Sequence, residues 1–322
     1  MKFPNERELR EVAILIAQTV IDTSRLIAEG QLPHLLKRDQ PDFKDPNNRT
    51  LAIDQYARSI ALTALKLNFG DKIVIYGEEE EAQPGKHFAE INKIVAIIDP
   101  VDGTDLLARD FSNWVSAMIF FIPKQKKIIS AVIGHASGDI YYASGAGAFI
   151  RPRVAAKGKM KNHDRKLLRD SDKIIELCNS AICFYGQKPK NFLNMAEHKS
   201  FLSAMQGFKK RMSEIKDEGS GKVIKAKEQL EIRLYNFGGN PMMVRIPSGA
   251  VDAVFSLGNT ELHDVLPGAY IAVQAGAVFT DLAGNTINPI DALLTPKTPL
   301  RYILSGSKSL AAELKDLLAV TA

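Results

Sequence analysis

Residues 97–104, with the sequence Ile-Ile-Asp-Pro-Val-Asp-Gly-Thr, constrain the fold of this chain more than any other stretch. The apolar run at 94–98 is rich in β-branched residues and too short for a helix, so it predicts a buried strand. Proline has no backbone N–H and cannot continue a central ladder, so we expect the strand to end before Pro100. The following residues would then form a tight turn, which places Asp99 and Asp102 together at the end of one strand.

Two carboxylates this close repel each other unless a positive charge lies between them. Mg²⁺ suits that position because it takes oxygen ligands and usually binds through one or two carboxylates together with water and phosphate oxygens. The Asp-Pro-x-Asp-Gly pattern is also common in turns, where Asp99 and Asp102 would only cap backbone groups. The segment by itself leaves both interpretations open.

Two further acidic stretches favour the metal site. Upstream, a strand-like run at 72–76 leads into Gly77 and four glutamates, which either reach towards the two aspartates or form a solvated surface. Downstream, Asp264 precedes the apolar segment 265–275, and we expect it to be the N-cap or a first-turn residue of a helix. Gly276 would end that helix.

These stretches together resemble the inositol monophosphatase and fructose-1,6-bisphosphatase superfamily of metal-dependent phosphatases. The resemblance extends from about residue 5 to the C-terminus, and the motifs occur in the family's order and spacing. They are Gly77-Glu78-Glu79, Asp99 to Thr104, His263-Asp264 and Thr280-Asp281-Leu282-Ala283-Gly284. The resemblance implies a mixed α/β (α+β) fold of the sugar-phosphatase type, which is a layered α/β/α/β/α sandwich.

The resemblance also implies a phosphoric monoester hydrolase that uses two or three Mg²⁺ ions per active site. The implied metal ligands are Glu78, Asp99, the carbonyl of Val101, Asp102 and Asp264, with Glu79 at a weaker third ion. Asp99 would bridge two ions, while Glu78 and Thr104 would orient or activate the attacking water. The residues implied at the substrate are Asp102, Gly103, Thr104, Asp264 and, unless it is only an exposed lysine, Lys188.

The sequence departs from the family pattern where the substrate would be recognised. His263 stands in place of the usual tryptophan, and Ser256-Leu257 occupy the positions where inositol monophosphatases carry a glutamate that contacts inositol hydroxyls. A Gly-Ser/Thr element before the central helix appears here as Gly238-Gly239-Asn240. The metal motifs are intact, so an inositol phosphate, a sugar phosphate such as fructose 1,6-bisphosphate and a nucleotide 3′-phosphate all remain candidate substrates.

The 322 residues, 45% of them hydrophobic, are sufficient for one large domain or two lobes in close contact. We expect an N-terminal lobe, 1–150, with Glu78 and the Asp99–Thr104 motif, and a C-terminal lobe, 151–322, with a polar insertion at about 151–230 and the Asp264 helix. No apolar run approaches the roughly 20 residues that span a bilayer, and the N-terminus lacks a signal-peptide core. Cys178 and Cys183 lie five apart with no partner motif, so we expect ordinary buried thiols in a reducing compartment rather than a disulfide or a metal site. These features predict a cytoplasmic protein, and the resemblance implies a homodimer.

The net charge of +5 is concentrated in residues 151–170, which contain eight Lys or Arg and two Asp. Such a segment is compatible with nucleic-acid binding, but it has no aromatic residue to stack on bases, so we do not expect a nucleic-acid partner. It either forms a solvated loop or attracts a multiply phosphorylated substrate. The alternative function is therefore a polyanion-binding or regulatory protein on the same fold, docking through this segment.

Periodicity predicts the outer elements of the sandwich. Apolar residues at helical spacing predict a helix over 6–29, and a second over 54–67 in which Asp54 is either a cap or lies near the metals. Residues 31–50 are polar and predict a loop. Residues 191–211 have a helical pattern, and 212–230 are very polar, which predicts a surface insertion.

Overall fold

The structure, a computed structural model, describes residues 4–36, 38–41, 49–77, 91–153, 164–186, 189–206, 209–216, 223–230, 232–295 and 300–319. Its strands are β1 (Arg38–Pro41), β2 (Arg49–Leu51), β3 (Ile73–Tyr76), β4 (Ile94–Asp102), β5 (Val115–Ile122), β6 (Lys127–His135), β7 (Ile140–Ser144), β8 (Gly147–Arg151), β9 (Arg165–Leu167), β10 (Ala181–Phe184), β11 (Lys209–Lys216), β12 (Val223–Leu230), β13 (Arg233–Tyr235), β14 (Ala253–Thr260), β15 (Val278–Thr280) and β16 (Leu300–Ser305). Its α-helices are α1 (Glu6–Ala28), α2 (Ala52–Phe69), α3 (Thr104–Ala108), α4 (Pro189–Asn194), α5 (Lys199–Gln206), α6 (Asn240–Met243), α7 (Leu266–Gln274), α8 (Pro289–Leu294) and α9 (Lys308–Leu318).

Seven strands form the larger sheet in the order β3-β4-β5-β6-β7-β8-β9, with β3 parallel to β4 and all later neighbours antiparallel. Helices α1 and α2 cover one face, where Leu9 and Ile16 share a core with Phe120. Because side chains alternate between the two faces of a strand, Ile119 and Phe121 belong to a second core on the opposite face.

The smaller sheet has the order β13-β10-β14-β16-β15. Helices α5 and α9 cover its outer face, where Phe201 and Leu314 share a core with Phe255. Its inner face shares a core with the larger sheet through α6 and α7, which contribute Met243 and Ile271. The five layers are therefore α1/α2, the larger sheet, α6/α7, the smaller sheet and α5/α9, which confirms the predicted α/β/α/β/α sandwich.

Strand β4 continues past the proline at which we expected it to end. Its pairing with β5 shifts between Asp99, which lies opposite Ala117, and Asp102, which lies opposite Val115. Pro100 and Val101 of β4 thus lie opposite the single residue Ser116 of β5, which is a β-bulge. Proline is tolerated at a bulge because no ladder donor is needed there, and the strand prediction was wrong at this end for that reason.

Helix α7 begins at Leu266, so Asp264 is neither its N-cap nor a first-turn residue as the sequence predicted. The cap position is Val265, which makes no side-chain capping bond. The reason is a preceding turn, in which the amides of Val265 and Leu266 donate to the carbonyl of Leu262 at 3.3 and 2.8 Å. The predicted stop is confirmed, since Gly276 has φ 109° and its amide donates to the carbonyl of Val273 at 2.9 Å.

The polar segments contain more regular structure than their composition predicts. The expected loop at 31–50 includes the 3-10 turn Pro33–Leu36 and the β1-β2 ribbon. The expected helix at 191–211 divides into α4 and α5 and then gives way to β11, which pairs only with β12 in a separate two-stranded sheet among the described residues. Antiparallel pairing uses main-chain groups, so side-chain polarity alone did not predict these ribbons. The division into lobes at residue 150 stays a prediction.

Candidate active site

The bulge in β4 brings two carboxylates to one face of the larger sheet. Residues three apart in a regular strand point to opposite faces, but the extra residue at the bulge returns Asp102 to the face of Asp99. Gly103 follows with φ 97°, and a Cβ there would lie 3.1 Å from the Cβ of Trp114. Only glycine fits this tight turn without strain, and the turn leads directly into α3.

Asp264 approaches the same carboxylates from the turn before α7, and Asn240 connects the two segments. The fully buried Asn240 side chain donates from Nδ2 to Asp102 Oδ2 at 3.1 Å and to the carbonyl of His263 at 2.7 Å. Its Oδ1 accepts from the amide of Gly268 at 2.8 Å, and its own amide donates to the carbonyl of Asp264 at 3.0 Å. The sequence analysis noted Asn240 only as a departure from the family pattern.

An imidazole lies among the acids. One ligand atom from each of Asp99, His263 and Asp264 lies within 4.8 Å of the others. His263 Nε2 is 3.3 Å from Asp264 Oδ1, and the Tyr185 hydroxyl donates to Asp264 Oδ2 at 3.2 Å. Tyr185 directly follows β10, a strand-end position that was a usable signal in the sequence, although we did not select it.

The site carries more negative charge than its local partners neutralise. Burial, followed by the charges of Asp99 and Asp264, raises the pKa of Asp102 well above its ordinary value, against a smaller lowering by the hydrogen bond from Asn240. Burial and then Asp264 likewise raise the pKa of Tyr185 well above its ordinary value. A bound divalent cation relieves this repulsion, and converging carboxylate oxygens with an imidazole nitrogen are suitable donors. The residues present therefore fit a bound divalent cation.

Thr104, the first residue of α3, makes a contact that connects the motif to the outer helix layer. Its hydroxyl donates to Asp54 Oδ1 at 2.5 Å and lies 3.0 Å from the carbonyl of Val101. Asp54 lies in the first turn of α2. Of the two interpretations of Asp54, the structure favours the one that places it next to the metal motif.

Three of the predicted site residues, Glu78, Glu79 and Lys188, lie outside the described residues.

The structure describes part of the basic segment 151–170. Arg151 pairs with Asp164 at 2.8 Å, and Arg169 pairs with Asp252 at 2.9 Å. Part of the charge that motivated a polyanion-docking function is thus neutralised within the fold, and nothing in the described residues favours that alternative.

Two further expectations concern the cysteines and membrane-spanning segments. Cys178 and Cys183 are free thiols, but only Cys183 is buried. No helix of the described part of the chain combines the length and the apolar character that a membrane span requires.

Comparison with known proteins identifies the fold and the family. The inositol monophosphatase family model matches residues 5–319. The extragenic suppressor protein suhB from Bartonella henselae has a TM-score of 0.68 at 17% identity, covering 98% of this chain and 99% of that one. A Thermotoga maritima IMPase has a TM-score of 0.64 at 16% identity, covering 96% and 95%.

A Staphylococcus aureus IMPase-II, solved with inositol monophosphate bound, has a TM-score of 0.61 at 15% identity, covering 96% of this chain and 92% of that one. No curated protein sequence matches the chain significantly. At these identities the solved structures show the fold, while the family model spans nearly the whole sequence. The chain therefore belongs to the inositol monophosphatase family and is a phosphoric monoester hydrolase.

Proposed function

We propose that this protein is a Mg²⁺-dependent phosphatase that hydrolyses a small phosphate monoester by activating water. The observation that carries the proposal is the convergence of Asp99, Asp102 and Asp264, from two distant segments, on one partly buried site. Carboxylates in such numbers oppose folding unless a cation is bound, so their convergence indicates a metal-binding role.

The residues that would hold two or three ions are Asp99, Asp102, Asp264 and the carbonyl of Val101, with Glu78 and Glu79 assigned by family resemblance alone. When bound, such ions lower the pKa of water and neutralise phosphoryl oxygens. The backbone amides of Gly103 and Thr104 belong to the turn that follows Asp102, and we propose that they hold phosphate oxygens. The N-terminus of the nine-residue helix α7 adds a favourable dipole near Asp264.

The contact between Thr104 and Asp54 supplies a route for the proton of the attacking water. Because the Thr104 hydroxyl donates its hydrogen to Asp54, its oxygen lone pairs are free to accept a hydrogen from that water. The water is thereby oriented with its own lone pair towards phosphorus, and Asp54 is the final proton acceptor. Glu78 is proposed to orient the same water.

The substrate class is a small phosphorylated polyol or nucleotide. The Staphylococcus aureus IMPase-II has been solved with inositol monophosphate and with 2′-AMP, which supports testing both classes. His263 and Ser256 replace family residues at the substrate side, so a sugar phosphate is equally a candidate. The same proposal includes a cytoplasmic location, predicted from the sequence features, and a homodimer, implied by the family resemblance; analytical ultracentrifugation tests the dimer.

The deciding experiment is phosphate release from inositol 1-phosphate, fructose 1,6-bisphosphate, 3′-phosphoadenosine 5′-phosphate and several sugar monophosphates. Each is assayed with Mg²⁺, with EDTA and with the Asp99→Asn variant. We expect release to require Mg²⁺ and to fall more than about 100-fold in the variant. Asp172→Asn, which alters an exposed pair with Lys308, is the control and should retain activity.

The same variant separates loss of chemistry from loss of fold. Asp99 raises the pKa of Asp102 by repulsion, so replacing it with neutral Asn should not lower the unfolding temperature of the metal-free protein. Near-normal turnover by either Asp99→Asn or Asp102→Asn would refute the metal-ligand assignment. Hydrolysis that persists in EDTA would refute the metal requirement.

A further inference from the structure

We propose that His263 Nε2 is a ligand of the metal ion held by Asp99 and Asp264, and that this ion position prefers a first-row transition metal to Mg²⁺. The inference rests on the proposed function, since it concerns one of the ions at that site. It goes further in assigning a nitrogen donor to a position where the resembling enzymes have tryptophan.

The distances around His263 fit a shared ion. Two ligand atoms that each lie about 2.1 Å from one metal, at angles of about 90–109°, are about 3.0–3.4 Å apart. His263 Nε2 and Asp264 Oδ1 are 3.3 Å apart, and one ligand atom from each of Asp99, His263 and Asp264 lies within 4.8 Å of the others. A charge-assisted hydrogen bond is usually shorter, about 2.7–2.9 Å, so a simple ion pair describes this contact less well.

The fold holds the His263 ring in this position. Only 4% of the residue is exposed, so the imidazole has little freedom to turn towards solvent. Its carbonyl accepts from Asn240 Nδ2 at 2.7 Å, and the carbonyl of the next residue, Asp264, accepts from the Asn240 amide at 3.0 Å. The backbone on both sides of the ring is thus fixed by one buried residue that also contacts Asp102.

The chemistry of the donors determines which ion is favoured. Mg²⁺ prefers an all-oxygen environment and retains several waters. An imidazole nitrogen suits Fe²⁺, Co²⁺, Ni²⁺, Cu²⁺ and Zn²⁺, and affinity at a mixed nitrogen and oxygen site rises from Mn²⁺ to Co²⁺ and beyond. A site formed by Asp99, Asp264 and His263 is therefore expected to bind Co²⁺ more tightly than Mg²⁺, while the all-carboxylate part of the cluster remains suited to Mg²⁺.

The direct test uses the wild-type protein loaded with Mn²⁺ and measured by electron spin-echo envelope modulation. A coordinated imidazole gives nitrogen modulation from the directly bound ¹⁴N, whereas an all-oxygen shell does not. We expect that modulation in the wild type. Its absence in a protein titrated with Mn²⁺ until no further ion binds, so that the position at His263 is filled, would overturn the proposal without relying on any variant.

Calorimetric titration with Co²⁺ and with Mg²⁺ then tests the preference. His263→Gln replaces the nitrogen donor with an amide oxygen, and we expect it to weaken Co²⁺ binding at least about tenfold while changing Mg²⁺ affinity less than about threefold. His263→Phe, which offers no donor, should lose the nitrogen modulation as well. His198→Gln, at another buried histidine with 7% exposure, is the matched control and should behave as the wild type.

The outcomes separate this inference from the proposed function. If Asp99→Asn abolishes metal binding while both His263 variants bind Co²⁺ and Mg²⁺ like the wild type, the metal site stands and the His263 assignment fails. If neither ion binds to the wild type, the metal site and the proposed function fail together. Equal loss of Co²⁺ and Mg²⁺ affinity in His263→Gln would show a structural role and would also overturn the proposed preference.

Discussion

At the scale of single residues, the Thr104 hydroxyl has one proton to donate and two possible acceptors within hydrogen-bond distance. Asp54 Oδ1 is the closer acceptor, at 2.5 Å, and the carbonyl of Val101 is 3.0 Å away. A carboxylate is the stronger acceptor, so the proton points towards Asp54. The methyl group of Thr104 takes no part in this arrangement, which allows the hydroxyl to be tested alone.

Thr104→Ser retains the hydroxyl, whereas Thr104→Val is nearly isosteric with threonine and lacks it. We expect the valine variant to lose about 10²–10⁴ in kcat, because proton transfer through Thr104 is interrupted. The serine variant should stay within about tenfold of the wild type. Steady-state kinetics on the best substrate decide this, and a valine variant with full kcat would contradict the proton route.

His135 is a buried histidine whose contacts keep its ring neutral. It is fully buried at the end of β6. Arg245 Nη2 lies 3.1 Å from its Nε2, and Ser137 Oγ lies 3.0 Å from its Nδ1. A guanidinium only donates, so Nε2 must accept and the ring must be neutral. Burial, then Arg245, lowers the pKa of His135 to about 4, against a smaller raising by Asp139.

This lowered pKa predicts a loss of stability in acid. Between pH 6.5 and about 4 the unfolded chain binds a proton at His135 that the folded protein does not, so the free energy of unfolding falls as the pH falls. With about 1.4 kcal/mol per pKa unit, the loss approaches about 3 kcal/mol. Urea denaturation at several pH values gives the free energy of unfolding as a function of pH. Its slope between about pH 4 and 6.5 should be smaller in His135→Gln by the amount that one bound proton contributes, and an unchanged slope would contradict the prediction.

At the scale of single elements, two helices end at glycines with similar backbone conformations and different surroundings. Gly30 after α1 has φ 74°, and Gly276 after α7 has φ 109°. A Cβ on Gly30 would meet open space, but on Gly276 it would lie 2.3 Å from the carbonyl oxygen of Arg169. The first glycine is needed only for its backbone conformation, whereas the second is also needed for its size.

The two glycine-to-alanine variants therefore form a matched pair. Gly30→Ala should cost about 1–2 kcal/mol, which is the usual cost of a left-handed conformation with a side chain. Gly276→Ala carries the same cost and additionally forces backbone atoms apart, so its loss of stability should be clearly larger. Thermal unfolding of both proteins measures the difference in stability. Equal losses of stability would show that the backbone at Arg169 can move away from the added methyl group at little cost.

At the scale of the whole molecule, Arg169 connects separate parts of the sandwich. It follows β9 of the larger sheet, and its guanidinium reaches Asp252, just before β14 of the smaller sheet, at 2.9 Å. Its Nε donates to the carbonyl of Gly306 at 3.3 Å, and its amide donates to the carbonyl of Ala275, after α7, at 2.6 Å. One arginine that follows a strand of the larger sheet thus contacts segments of the smaller sheet and of the α6/α7 layer.

Asp252→Asn would leave this guanidinium largely buried without its carboxylate. The side chains of Arg169 and Asp252 are only 16% and 17% exposed, so we expect a loss of about 3 kcal/mol. Asp172→Asn, which breaks a pair whose members are 65% and 78% exposed, is the control and should leave the unfolding midpoint unchanged. Differential scanning fluorimetry compares them, and equal midpoints would show that the Arg169 contact contributes little.

Several strands and helices of this architecture were predicted from the sequence. The apolar runs predicted β3 and most of β4, helical spacing predicted α1 and α2, and the glycine after residue 275 predicted the end of α7. The acidic motifs predicted a metal site at Asp99 and Asp102. These features depend on local periodicity and on the chemistry of neighbouring residues, which the sequence contains directly.

The tertiary structure decided what depends on distant segments. The bulge that turns Asp102 to the face of Asp99 exists only because β4 pairs with β5. The contact of Asp54 with Thr104 spans fifty positions, and that of Asn240 with Asp102 spans 138. Local preferences carry no information about such approaches, because the free energy of long-range packing selects them. The sequence by itself therefore determined the acidic motif and, through its family resemblance, the layers. Only packing decided which side chains surround the proposed metal site.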